Sequence, residues 1–129
     1  MNPEQPTASE SLLVICLCAQ WCDTCCDYRI RFDEVRAKFR QAQFLWIDIE
    51  DEAELLHPLD VEDFPTLLLA VGKAPVFFGP VRPQPATLER MIRAQMDKGA
   101  TASALANPAL TELVARIRAA KLISKETTA

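Results

Sequence analysis

The stretch Leu12-Leu13-Val14-Ile15-Cys16-Leu17-Cys18-Ala19-Gln20-Trp21-Cys22-Asp23-Thr24-Cys25-Cys26 decides how this chain is read. Its first seven residues form a short apolar run, the pattern of a buried strand. After it, Cys25, Tyr28, Phe32, Val35 and Phe39 recur at intervals of three and four, one face of a helix running to about Arg40. Arg29, Asp33, Arg36 and Arg40 fall on the opposite, solvated face. Trp21-Cys22-Asp23-Thr24-Cys25 therefore lies where a strand hands over to a helix. Two cysteines three apart at a helix start make a reactive dithiol. The first sits among unpaired backbone N–H groups, which favour its nucleophilic thiolate. The second lies one turn on and can close a disulfide upon it. So small a loop constrains the unfolded chain by only about 2 kcal/mol in the loop-entropy model, against about 3 for a fifteen-residue loop. The spacing suits a bond that is made and broken more than a structural staple.

The chain has 129 residues, enough for one domain with a real core. Half of them are hydrophobic and a quarter charged, as in ordinary globular proteins. A net charge of −4 disfavours nucleic acid as a partner, because phosphate binding needs a basic face. No apolar run approaches the ~20 residues of a membrane span. The first eleven residues carry no basic and then apolar stretch of a secretory signal, so a cytoplasmic setting is expected. All five cysteines lie between Cys16 and Cys26, which resembles a site more than a dispersed disulfide framework.

Outward from the motif, residues 1–10 read as a flexible lead and residues 44–49 as a second strand. An acidic, helical connection follows over 51–56. Thr66 opens a third strand to residue 71, and Gly72-Lys73 turns into a fourth over 75–78, where Pro75 argues for an edge or a break. Leu88, Met91, Ile92 and Met96 form a further helical stripe, with Gly99 as its stop. Residues 99–106 have a linker composition. Asn107-Pro108 then starts an accessory helix, with Asn as N-cap and Pro in the first turn. Leu110, Leu113, Val114 and Ile117 share one of its faces, to be covered by its own domain or by a second chain. Arg116, Arg118 and Lys121 lie towards its end, complementing the helix dipole. This order predicts an α/β domain over 11–98, a mixed sheet flanked by helices on both faces, with the first two strands parallel and joined by a right-handed crossover.

Trp21-Cys22-x-x-Cys25 after a strand, Phe64-Pro65-Thr66 opening a later strand, and Gly79 after the last one together resemble the thioredoxin family, over roughly residues 12–96. The resemblance implies a thioredoxin-like fold with a trimmed N-terminus, about four strands and an extra C-terminal helix. It implies that Cys22 attacks, that Cys25 resolves, and that the Phe64–Pro65 bond is cis, a state of only about one X–Pro bond in twenty. Trp21, Phe64 and Pro65 would dock substrate. The implied activity is thiol–disulfide exchange that reduces protein disulfides, fed by an electron-donor reductase, with no cofactor and no metal. There are departures from the family pattern. Asp23-Thr24 replaces Gly-Pro, and a carboxylate beside a thiolate opposes ionisation. Cys16 stands where the family buries an aspartate, and Phe44 or Trp46 where it places a lysine.

Asp23, Thr24, Cys16 and Cys26 are thus expected to modulate the dithiol. Cys16 and Cys18 share a strand face and read as small hydrophobes of the core, with a resolving or metal-binding role beneath the dithiol as the alternative. Cys26 points about 100° away from Cys25 around the helix and reads as an unpaired thiol, although it is also i+4 from Cys22. His57, beside Pro58 in an acidic connection, reads as a surface residue. Two competing functions stay open: a binding module that uses the fold as a docking surface, and a cysteine-thiolate site for zinc or Cu(I).

Overall fold

In the computed structural model, which describes residues 12–57, 59–98 and 104–128, the chain forms a four-stranded mixed sheet between two layers of helix. The elements run β1 (Leu12–Cys18), α1 (Asp23–Lys38), β2 (Gln43–Asp48), α2 (Ala53–Leu56), β3 (Thr66–Val71), β4 (Ala74–Pro80), α3 (Pro85–Lys98) and α4 (Pro108–Thr128). Strand order is β2-β1-β3-β4, with β1 parallel to β2 and antiparallel to β3, and β3 antiparallel to β4. The expected flexible lead, the Gly99 stop and most of the 99–106 linker lie outside the described residues.

All seven residues of β1 are buried, and strand alternation deals them to two cores. Leu12, Val14, Cys16 and Cys18 meet the inward stripe of α1 (Cys25, Tyr28, Phe32, Val35) and Leu88 and Ile92 of α3. Leu13, Ile15 and Leu17 face the other way, against Leu56 of α2 and Leu110, Leu113, Val114 and Ile117 of α4. The neighbouring strands obey the same alternation: Leu67 and Leu69 of β3 join the first core, Leu68 and Ala70 the second.

Edge strand β4 carries the break that Pro75 demands. The register slips between Leu69 and Ala70, so that Leu69 faces Phe77 while Ala70 faces Pro75. A proline has no N–H for the ladder, and an edge position with an irregularity tolerates it. The hairpin turn from β3 is made by Gly72, whose φ of 62° suits a residue without Cβ.

The C-terminal helix is bound to its own domain. Asn107 Oδ1 accepts hydrogen bonds from the N–H groups of Ala109 (3.0 Å) and Leu110 (3.3 Å), an N-cap that ends the unpaired first turn. Just before it, the Leu105 N–H donates to the Pro75 carbonyl at 2.7 Å. Arg118 is buried and donates through Nε to the Gly72 carbonyl at 2.6 Å and through a guanidinium N–H to Gln43 Oε1 at 3.3 Å. Arg116 reaches the carbonyls of Leu55 (3.1 Å) and His57 (3.2 Å). The helix therefore ties the β3–β4 turn, the start of β2 and the end of α2 together. Its arginines, expected from sequence to complement the helix dipole, here donate to fixed oxygens of the sheet and connection. The Lys121 side chain lies outside what is described.

This packing has a measurable consequence. Leu113→Ala should lower the unfolding free energy by about 2–5 kcal/mol, the range for truncating a fully buried leucine, whereas Glu112→Ala on the exposed face should stay within about 0.5 kcal/mol. Urea unfolding midpoints of the two variants check it; equal midpoints would mean that α4 contributes nothing to the second core.

Candidate active site

Where β1 ends, the chain leaves the sheet through Ala19 and Gln20 and enters α1 at once. Cys22 is the N-cap residue, with extended backbone (φ −89°, ψ 116°), and its carbonyl accepts the first helical hydrogen bond from Cys26 N–H at 3.2 Å. Its side chain makes no capping bond and its thiol is free and half-buried. Trp21, before it, is 64% exposed. The Trp21 indole N–H donates to Glu50 at 3.2 Å, and its ring meets Phe64 edge-on with centroids 5.6 Å apart. Phe64 precedes Pro65, and the peptide between them is cis. Pro65 is buried, its carbonyl accepts from Val81 N–H at 3.0 Å, and Thr66 Oγ1 donates to the Asp63 carbonyl. The Trp21–Phe64 contact thus brings the residue preceding Cys22 against the residue preceding Pro65.

Cys25 behaves differently from the sequence expectation. Sequence spacing pairs it with Cys22; the disulfide present joins it to Cys18. The reason lies in the geometry of α1. Cys25 belongs to the inward stripe that continues through Tyr28, Phe32 and Val35, so its side chain points down at the sheet. Directly there, at the end of β1, Cys18 points up, and the two Cα atoms lie 5.9 Å apart, within the usual range for a disulfide. Both residues are 1% exposed. Cys18, read from sequence as a core hydrophobe, is therefore also a covalent partner. The available signal was the shared inward phase of Cys18 on the strand and Cys25 on the helix, which only their juxtaposition turns into a contact.

A third sulfur adjoins the pair. Cys16 Sγ lies 3.7 Å from Cys18 Sγ, at S–H···S hydrogen-bond distance, and its thiol is free and fully buried. Burial pushes the Cys16 thiol far above its usual range, with Arg29 opposing weakly. Tyr28, in the same core, is raised by burial and then by the neighbouring Cys16, and its hydroxyl is buried without a hydrogen-bond partner. Trp46 faces Cys16 across the β1–β2 ladder, and Phe44 faces Val14. Where the family places an aspartate and a lysine, this core holds sulfur and aromatic rings. Cys26 is exposed, its Sγ 3.6 Å from the Gln20 carbonyl. A cavity of about 480 Å³ opens beside these residues, lined among others by Cys25, Cys26, Arg29, Trp46, Asp48 and Glu52. Arg29 lies over the Trp46 ring at 5.2 Å. His57 stands apart on the surface, with its carbonyl bound by Arg116. Among the described residues no group of three or more His, Cys, Asp or Glu is arranged to hold a metal ion.

The family model for thioredoxin matches residues 4–93. This chain belongs to the thioredoxin family. Thioredoxin H2-1 of Oryza sativa subsp. japonica is 36% identical over 61 residues, covering 47% of this chain and 44% of that protein, so the match spans less than half of the curated relative's length. Thioredoxin from Trypanosoma brucei brucei superposes with a TM-score of 0.61 at 19% identity, over 68% of this chain and 77% of its own. That of Fasciola hepatica gives 0.60 at 19% identity, over 66% and 81%. The sheet, the helices on both its faces and the strand-to-helix position of the motif are those of a thioredoxin-like fold.

The buried Cys16 thiol makes a prediction with a definite sign. The folded protein keeps this proton to high pH, whereas the unfolded chain loses it near pH ~8.5. Above that value the native state binds the extra proton, so stability is fully present below it and declines as pH rises, by up to about 1.4 kcal/mol per pH unit. Under excess reductant, so that no disulfide exchanges, urea midpoints should fall more steeply from about pH 8 to about pH 9.5 in the wild type than in Cys16→Ala. Parallel profiles would show that Cys16 ionises equally in both states.

Proposed function

We propose that this protein is a thiol–disulfide oxidoreductase acting on protein disulfides, with Cys22 as attacking thiolate and Cys25 as resolving sulfur. The observation that carries the reading is the arrangement at the start of α1. A free, half-buried thiol stands at the N-cap, and one turn further on is a cysteine whose sulfur is already engaged in a disulfide. Residues three apart on a helix are neighbours. A substrate disulfide attacked by Cys22 would give a mixed disulfide, and Cys25 would displace the substrate as a thiolate. Electrons would return from a donor reductase. In a reducing cytoplasm the dithiol form would dominate, so the direction is reduction of substrate.

Trp21 and Phe64 supply the docking surface in this reading. The indole is mostly exposed, and the edge-to-face pair joins the motif to the Pro65 segment. An extended substrate chain laid along Phe64 and Pro65 would bring its sulfur to Cys22. Asp23 and Thr24 occupy the first turn of α1 between the two cysteines, and both are exposed.

Cys22→Ser should cut insulin reduction with dithiothreitol as donor by at least about a hundredfold, the scale on which loss of a covalent nucleophile acts. Cys25→Ser should instead accumulate a mixed disulfide at Cys22, visible as a mass adduct that reductant removes. Full activity in a folded Cys22→Ser would move the nucleophile to another cysteine, and a wild type that does not accelerate insulin reduction over dithiothreitol alone would assign the protein to the binding-module class.

A further inference from the structure

Cys18 has no part in the two-cysteine reaction, yet it holds the disulfide seen in the structure. We infer that Cys25 is shared between two partners: after resolving at Cys22 it passes the disulfide inward to Cys18, so that the oxidised protein keeps the bond in its core and presents Cys22 again as a free thiol. The inference rests on the oxidoreductase reading for how the first disulfide arises.

The step balances without any further reagent. The Cys18 sulfur, as thiolate, attacks Sγ of Cys25. The Cys18–Cys25 bond forms and the Cys22–Cys25 bond breaks. The electron pair leaves on the Cys22 sulfur, which takes up a proton from solvent in place of the one Cys18 released. One disulfide is present before and after, so nothing is oxidised or reduced overall.

The end states set the direction. Outward exchange leaves the free thiol at Cys18, 1% exposed, where burial disfavours charge; inward exchange leaves it at Cys22, half-buried at a helix N-terminus, where a thiolate meets solvent and unpaired N–H groups. The Cys18 thiolate is needed in either direction, and Cys16, 3.7 Å away, can donate its S–H to it, which eases the exchange both ways. Three sulfurs in sequence, Cys16, Cys18 and Cys25, thus form one contiguous column under the start of α1. A disulfide stored there, 1% exposed at both residues, is shielded from external reductants, and Cys22 is the thiol through which a donor draws it out. Cys18 therefore competes with Cys22 for Cys25 and makes the oxidised form harder to reduce.

Chymotrypsin distinguishes the two bonds, because cleavage after Trp21 and Tyr28 separates Cys18 from a fragment spanning residues 22–28. Reduced protein is oxidised with insulin in one arm and with one equivalent of diamide in the other, acid-quenched, blocked with N-ethylmaleimide and digested without reduction. The expected product in both arms is the 22–28 fragment linked to the Cys18 peptide, with maleimide on Cys22. A 22–28 fragment closed internally, with maleimide on Cys18, overturns the inference. Should insulin fail to oxidise the protein, the oxidoreductase reading falls while the diamide arm still decides the inference. A second measurement reads the competition directly. In glutathione buffers, Cys18→Ala and Cys18→Ser should each lower the [GSH]²/[GSSG] midpoint by at least about tenfold, since a state holding more than nine-tenths of the population outweighs its alternative by that factor. An unchanged midpoint in both variants also overturns it.

Discussion

Everything in this molecule hangs on a strand that must be covered on both faces. β1 exposes no more than 7% of any residue, and its seven side chains alternate between two separate cores. An apolar strand with one open face would leave a row of Leu and Ile in water, each costing about 1.5–3 kcal/mol against burial. α1 and α3 close one side. α4, with the short α2, closes the other. The C-terminal helix is thus held by the same constraint that fixes the sheet, and its buried guanidinium reinforces it. Arg118 sits at the β3–β4 turn with its charge lowered in stability by burial, and it compensates by donating to Gly72 and Gln43.

The same alternation sorts the chemistry of the five cysteines. Cys16 and Cys18, two apart on β1, must share a face, and that face is the one α1 covers. Cys25 lies on the inward stripe of α1, Cys22 at its cap and Cys26 one step round towards solvent. A single apolar layer therefore holds a gradient, from a fully buried thiol through a buried disulfide to a half-exposed and then an exposed thiol. Exposure alone does not rank these thiols, because a thiolate is helped both by water and by partial positive charge. Cys16, with neither, is held neutral. Cys22 has access to both.

Much of this was legible in the residue pattern. The 3.6 period of Cys25, Tyr28, Phe32 and Val35 marks α1 and its buried face. The apolar run at 12–18 marks β1, and Asn107-Pro108 marks the start of α4. Strand and helix boundaries differ by one or two residues from those expected, the usual fraying of element ends. The disulfide was hidden for a physical reason. Spacing along a chain reports neighbours within one element, and so it favours Cys22 for Cys25. The Cys18–Cys25 contact exists only once a helix has been laid over a strand in a particular phase. Likewise, the stripe on α4 told that a partner surface was needed, and only the packed sheet supplies Leu13, Ile15 and Leu68 as that surface.

The core under the motif also bears on what this family member has exchanged. A buried carboxylate paired with a buried lysine offers a place for a proton, but desolvating the two charges costs several kcal/mol per ion before their attraction offsets it. Here Cys16 faces Trp46 across the ladder, and Phe32 packs edge-on against both Phe44 and Trp46 at 5.4 Å. Replacing a buried ion pair with packed apolar groups is often neutral or stabilising, so the substitution is consistent with a sound fold. What it removes is a base. Sulfur neighbours and a tyrosine hydroxyl without a partner are what the core offers in its place. The carboxylates of Asp48 and Glu52 lie instead along the cavity beside Cys25. The layer beneath the motif thus supplies packing, and the polar groups near Cys25 lie on its open side.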